Sequence, residues 1–298
     1  MKLYQAYGLS IRSPLELPEL RPGQRAVDVI VRRKNANRSG YPQRDKIRWL
    51  GRHQNSISLS CPGVGRFVVR KTSITIRPEP GVGEALLRLH LLGPAMGVLL
   101  HLRKALVLHA SAIEINGQAV VIAGESGCGK SSLSSALYAR GYAALADDLV
   151  RLDNSGGHWR AFPAFPHYKL WPDALRALGR RSAEMARIHP RSAKRVLPSI
   201  QRFATKPVPI RCIYILRIGR SLTVERLPPM QAFVDVMRQA YCRSVVGLTG
   251  PISHFFQCTQ LAQGVPVRRL SRTENLLSLG DLADLVERDL LSQEPPLL

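Results

Sequence analysis

The run Gly124-Glu125-Ser126-Gly127-Cys128-Gly129-Lys130-Ser131-Ser132 holds the residues whose types and spacing are best suited to chemistry. It fits the pattern G-x-x-x-x-G-K-[ST]. In that pattern glycines let backbone N–H groups converge on phosphate oxygens, and the helix that follows adds the partial positive charge of its N-terminus. Lys130 would reach the terminal phosphates of a nucleoside triphosphate, and the Ser131 hydroxyl would hold Mg²⁺. The apolar run Ala119-Val120-Val121-Ile122-Ala123 precedes the loop and a helix-like segment follows it, which is the strand–loop–helix setting the pattern requires. The whole run is therefore expected to bind nucleotide, with ATP and Mg²⁺ as the cofactors.

Asp147 and Asp148 are the second feature. They end the strand expected over Tyr142 to Ala146, after the phosphate-loop helix, so a parallel βαβ unit would carry both carboxylates to the edge where phosphates sit. Phosphoryl transfer to a hydroxyl needs a carboxylate on the metal and one that takes the acceptor's proton. Neighbouring residues on a strand point opposite ways, so the two aspartates would divide these tasks. An Asx-type turn is the plainer reading of the pair. His109 sits on the apolar strand Leu106 to Ala110, where a histidine is more often a packed core residue. Its place before the loop and the aspartates makes it a site candidate.

The stretch from Leu108-His109 through the phosphate loop to Ala146-Asp147-Asp148 resembles the catalytic core of the bacterial HPr kinase/phosphorylase family, which has a histidine, a phosphate loop and paired aspartates in this order and spacing. That family phosphorylates a serine hydroxyl on a small protein, with a core related to that of phosphoenolpyruvate carboxykinase. The resemblance covers roughly residues 105 to 153. It implies an α/β fold with a P-loop kinase core of HPr kinase type, a mixed sheet with flanking helices; the smaller β-rich N-terminal domain is read from the strand pattern and differs from the family's usual regulatory domain. It also implies that Lys130 holds the β/γ-phosphates, that Ser131 holds Mg²⁺, and that one aspartate activates the acceptor serine with His109 beside it. The resemblance favours Asp147 as the acceptor-side base and Asp148 as the metal-side carboxylate, and the reverse order stays open.

Two departures qualify the match. The family's loop usually ends Lys-Ser-Glu, whereas here it is Lys130-Ser131-Ser132. No counterpart of the glycine-rich, acidic signature associated with dephosphorylation follows the aspartates; Pro163-Ala164-Phe165-Pro166 and Lys169-Leu170-Trp171-Pro172 stand in its place. A kinase without phosphorylase activity is expected. Tyr7-Gly8-Leu9, Leu17-Pro18-Glu19-Leu20, Gly65-Arg66-Phe67 and Leu108-His109-Ala110-Ser111-Ala112 look like a branch found with peptide-maturation clusters, lasso-peptide ones among them. The acceptor would then be a peptide or small protein, including a ribosomally made precursor. A small-molecule kinase and a non-catalytic nucleotide-sensing protein are the alternatives.

The elements that must position these residues fall into two expected domains. Residues 1–82 are β-rich, with strands at Val27 to Val31, Ser56 to Ser60, Arg66 to Arg70 and Ser73 to Ile76, and they would serve substrate recognition. The cluster Pro78-Glu79-Pro80-Gly81 marks the boundary. Residues 83–298 would form the nucleotide-binding and catalytic domain. Gly83 to Arg103 has helical spacing interrupted at Gly93-Pro94. Leu106 to Ile115 and Ala119 to Ala123 form a hairpin about Asn116-Gly117. Asp173 to Gly179, Met230 to Tyr241, Ile252 to Gln263 and Leu276 to Leu291 read as helices, and Pro209 to Arg217 as a strand.

The net charge of +22 sets the remaining expectations. Basic residues gather at Arg32, Arg33, Lys34, Arg38, Arg44, Lys46, Arg48 and Arg52, and again at Arg180, Arg181, Arg187, Arg191, Lys194, Arg195, Arg202 and Lys206. Such fields favour anionic partners, but no nucleic-acid recognition motif accompanies them, and a solvated surface gives the same composition. Arginines between Arg187 and Arg202 could close over the nucleotide as a lid. The five cysteines form no C-x-x-C pair, and the apolar region Leu86 to Ala110 is interrupted by charged residues. Reduced thiols, a cytoplasmic location, no membrane span and no dedicated metal cluster are expected. A homo-oligomer is compatible with everything above.

Overall fold

The computed structural model describes residues 1–23, 26–35, 48–53, 55–189, 192–274 and 279–292. Arg38, Arg44, Lys46 and Arg191 of the basic stretches lie outside the described residues, as does the start expected for the last helix at Leu276. The chain divides into two compact units, residues 1–107 with 241–254 and residues 108–240 with 255–298.

The first unit is built on strands β1 (Lys2–Ala6), β2 (Leu9–Ser13), β3 (Arg21–Pro22), β4 (Val29–Arg33), β5 (Arg48–His53), β6 (Ser56–Cys61), β7 (Gly65–Arg70) and β8 (Ser73–Pro78). They form one sheet in the order β3-β1-β2-β4-β8-β7-β6-β5. The alternation in β7 explains its placement: Phe67 and Val69 are buried, while Arg66 and Val68 are less so. Helices α1 (Glu84–His90) and α2 (Met96–Leu102) are joined by a π-helical turn over Leu91–Ala95. Pro94 lies in that turn, where its missing N–H disturbs the ladder least.

The unit boundary differs from the one expected at Pro78 to Gly81. Leu87, Leu91, Met96, Val98 and Leu99 are buried, and His90 stacks on Phe67 of the sheet at 6.4 Å, so this helical stretch belongs to the N-terminal unit. By length and composition Glu84–Leu102 is apolar enough to cross a membrane, and 67% of that window is buried.

His101 is 4% exposed and hydrogen-bonded through Nε2 to the Tyr241 carbonyl at 2.7 Å. Burial depresses its pKa to about 4 from the ordinary 6.5. The folded state therefore keeps it neutral where the unfolded chain protonates it. Its contribution is fully present above pH 6.5 and is lost as pH falls toward 4, a change of about 3 kcal/mol. We expect denaturant titrations of His101→Gln to show a shallower loss of stability across that window than the parent protein; equal slopes would refute the assignment.

The second unit opens at the end of β9 (Leu106–Leu108) and continues through β10 (Ala110–Ile115), β11 (Gln118–Gly124), α3 (Lys130–Ala139), β12 (Ala143–Ala146), β13 (Val150–Ser155), β14 (His158–Ala161), β15 (His167–Leu170), α4 (Pro172–Ala177), β16 (Arg195–Pro198), β17 (Val208–Ile218), β18 (Thr223–Arg226) and α5 (Pro229–Arg238). Helix α6 (Arg243–Thr249) belongs to the first unit. α7 (Pro251–Gly264) begins there and ends in the second, which closes with β19 (Val267–Arg272) and α8 (Leu279–Leu291). The main sheet path runs β12-β10-β11-β17-β14-β13, and β19 pairs with β17 and β18. Leu133 and Leu137 of α3 and Leu282, Val286 and Leu290 of α8 pack with Ile113, Val120, Ile122, Tyr214 and Leu216 of the sheet. Each such side chain contributes about 1.5–3 kcal/mol by leaving water, which holds α3 and the loop before it in place.

Two expectations are corrected here. The strand expected over Leu106 to Ile115 is broken at His109, whose backbone N–H donates to the Gln239 carbonyl at 2.7 Å. The strand after α3 does not lie beside β11: β12 pairs antiparallel with β10, which itself pairs antiparallel with β11. Two reversals leave β11 and β12 pointing the same way, so their carboxyl ends still reach one edge, with β10 between them.

Candidate active site

The loop between β11 and α3 carries the backbone geometry that anion binding needs. Gly124 and Gly129 have φ of 149° and 106°, in the region that favours glycine. A Cβ on Gly124 would lie 2.4 Å from the Leu216 carbonyl oxygen, so no other residue fits there without displacing β17. Gln239 braces the loop's start, accepting from Gly124 N–H at 3.1 Å through Oε1. Arg272, 5% exposed, braces its end by donating from Nε to the Cys128 carbonyl at 2.6 Å. Lys130 folds back onto the loop, its Nζ donating to the Gly124 and Glu125 carbonyls at 2.8 and 2.9 Å. Burial lowers its pKa from the usual lysine value, with partial compensation from Asp148 and Asp147.

The two aspartates occupy different surroundings. Asp147 is 4% exposed, and its Oδ1 accepts from Ser131 Oγ at 2.7 Å and from Ser111 Oγ at 2.6 Å. Its Oδ2 accepts from the Lys169 backbone N–H at 3.1 Å. Ser111 comes from β10, the strand inserted between β11 and β12. Asp148 has left the strand: its φ is 72°, a left-handed conformation that aspartate tolerates better than most residues, at a cost of about 1–2 kcal/mol. That turn swings its carboxylate away from Ser131 toward His109 Nδ1 at 3.6 Å and Lys169 Nζ at 3.3 Å. Asp147 is thus the carboxylate in contact with Ser131, and Asp148 the one beside His109.

Electrostatics sharpen the contrast. Burial pushes the Asp148 carboxyl upward, but Lys169 and His109 outweigh it and hold it below the ordinary aspartate value. Burial, followed by the charge of Lys130, lowers the His109 pKa against the opposing pull of Asp148 and Asp147. At neutral pH the pair is therefore a carboxylate beside a neutral imidazole, both in their proton-accepting forms but each a weaker base than the free group.

His109, Lys130, Lys169 and Asp148 line a cleft of about 240 Å³, whereas Asp147, buried and bonded to Ser131, is not part of its lining. His109, Ser126, Gly127, Gly129, Lys130, Ser131, Ser132 and Asp148 face it, together with Lys169, Leu170, Trp171, Asp173, Ala174, Lys194, Arg272 and Glu274. Gly124, Glu125 and Cys128 do not line it; their carbonyls serve Lys130 and Arg272 instead. Among the described residues, none of the arginines expected to form a lid lines the cleft: Arg195 donates to the Ser182 and Ala193 carbonyls, and Arg202 covers the Tyr138 ring. Lys194 takes that position.

Ser111, Gln239, Lys169, Lys194 and Arg272 were missed as functional candidates. Each comes from a distant strand, turn or helix and carries no local pattern of its own. Among the described residues no group of three or more His, Cys, Asp or Glu side chains could hold a metal ion alone. A hydroxyl and a carboxylate in contact beside a phosphate cradle do suit Mg²⁺, a hard cation that takes most of its oxygens from phosphate and water.

Comparison with known proteins finds similarity to one family over one segment. No curated protein matches the chain. Among solved structures, the Hpr(Ser) kinase/phosphatase from Coxiella burnetii matches at 14% identity over 62% of this chain and 96% of that one, with a TM-score of 0.35. Fold overlap at that level is low. Residues 101–161, which hold His109, the phosphate loop and both aspartates, match the family described as HPr Serine kinase C-terminal domain.

Proposed function

We propose that this protein is a Mg²⁺-ATP-dependent serine kinase that transfers the γ-phosphoryl group to a hydroxyl of a peptide or small protein, a ribosomally made precursor peptide included. The observation that carries the reading is the contact between Ser131 and the buried Asp147, with Ser131, Asp148 and His109 lining one cleft. Ser131 and Asp147 would hold Mg²⁺, which would neutralise charge on the β- and γ-phosphates. The loop N–H groups and Lys130 bind and orient the triphosphate. The Asp148 carboxylate takes the proton of the acceptor hydroxyl, and neutral His109 fixes its orientation. Little covalent chemistry is asked of the protein; positioning and charge stabilisation supply the rate.

The test is incubation with Mg²⁺-ATP and a panel of serine-containing peptides, including short precursor peptides encoded beside the gene, with phosphoserine read by mass spectrometry. A phosphorylated peptide that is absent in the Asp148→Asn reaction supports the reading; nucleotide binding with no phosphorylated acceptor would leave a sensor. The segment at Pro163 to Pro172 replaces the family's dephosphorylation signature. A purified phosphopeptide incubated with inorganic phosphate is therefore expected to stay phosphorylated, and rapid pyrophosphate release would overturn that part.

A further inference from the structure

We propose that Lys194 is a second phosphate-binding cation of the cleft, resting on the Trp171 indole until a polyphosphate draws it in. This rests on the triphosphate reading above and adds a group to the same site.

The placement follows from the hairpin register. β15 and β16 pair antiparallel with Leu170 opposite Arg195, so the next residues outward are Trp171 and Lys194. The Lys194 ammonium lies 5.4 Å from the Trp171 ring centroid, and both side chains line the cleft with Lys130 and Ser131. Trp171 is 49% exposed, in contrast to Trp159 at 6%, so this indole is not held there as core. The other two lysines of the cleft are engaged by oxygen: Lys130 by loop carbonyls and Lys169 by Asp148. Among the described residues no carboxylate lies within ion-pair distance of the Lys194 ammonium, which rests on a π face instead. A cation over an exposed ring is weakly held compared with one that donates charge-assisted hydrogen bonds to phosphate. His109, Lys130 and Asp148 line the same cleft as Lys194. The described arginines of this arm are occupied elsewhere, which leaves Lys194 as its contribution to the cleft.

The test uses calorimetric and fluorescence titrations of the full chain with Mg²⁺-ATP, Mg²⁺-tripolyphosphate and adenosine. Lys194→Ala is expected to weaken both polyphosphates roughly tenfold or more while adenosine binding is unchanged, and Lys194→Arg to recover most of the loss. Tripolyphosphate, which has no base, is expected to change the fluorescence of the parent protein, and Trp171→Phe to remove that change. Should Lys194→Ala bind tripolyphosphate like the parent while Lys130→Ala does not, Lys194 has no phosphate role and the triphosphate site stands. Should Lys130→Ala also bind like the parent, the triphosphate reading itself falls. A fluorescence change with ATP and adenosine but not with tripolyphosphate would make Trp171 a base platform and overturn the proposal. Lys194 is half-buried on a hairpin edge, and matching thermal unfolding curves will verify that its variants fold.

Discussion

Lys130→Ala is expected to abolish phosphoryl transfer and Mg²⁺-ATP binding while the protein stays folded. Lys130 ties the start of α3 back to the start of the loop, donating to the Gly124 and Glu125 carbonyls at 2.8 and 2.9 Å, and lines the cleft. Losing a charge contact on the transferring phosphoryl should cost about 3 kcal/mol or more in the barrier, a factor of roughly a hundred. The loop is also braced by Gln239 and Arg272, neither of which depends on the lysine, so thermal unfolding should move little. Calorimetric titration beside an unfolding curve checks both halves. A folded Lys130→Ala protein that transfers phosphate at the parent rate would remove the kinase reading.

The second large effect separates the aspartates. Asp148→Asn should keep Mg²⁺-ATP affinity near that of the parent and lose transfer by about 10²-fold or more, the usual cost of a missing general base. Asp147→Asn should weaken Mg²⁺-nucleotide binding and recover in part at higher Mg²⁺, because the carboxylate that contacts Ser131 is the one removed. His109→Ala should slow transfer less than Asp148→Asn does. Both groups titrate below their ordinary values, so transfer should hold level as pH falls through 6.5, where a free histidine would protonate, and decline only further into acid. Single-turnover transfer and Mg²⁺-nucleotide titrations on the same variants decide the order: if Asp147→Asn binds normally and Asp148→Asn does not, the roles are exchanged. If neither variant differs from the parent, the pair is only a turn.

Much of this arrangement was legible in the order of residues along the chain, because some physical requirements are local. A loop that wraps phosphate needs glycines at fixed offsets and a lysine and a serine at the start of the next helix, and Gly124 to Ser131 meets them over eight positions. The interruption of the helical stretch at Gly93-Pro94, the hairpin at Asn116-Gly117 and the helix before Leu291 follow equally from local pattern, though not the π-helical form that the interruption takes. Which aspartate contacts Ser131 is not local. It depends on the left-handed backbone of Asp148 and on Ser111, brought to Asp147 by a strand inserted between β11 and β12.

Lys169, Lys194 and Arg272 reach the cleft, and Gln239 the start of the loop, from four other elements or turns, and their spacing from the loop carries no period that a linear reading could detect. Sequence alone determined that a phosphate loop, a histidine and a pair of carboxylates exist in this chain. Tertiary structure alone decided which carboxylate meets the serine, which meets the histidine, and which cations complete the cleft, because those choices depend on strand order and backbone handedness at points far apart along the chain.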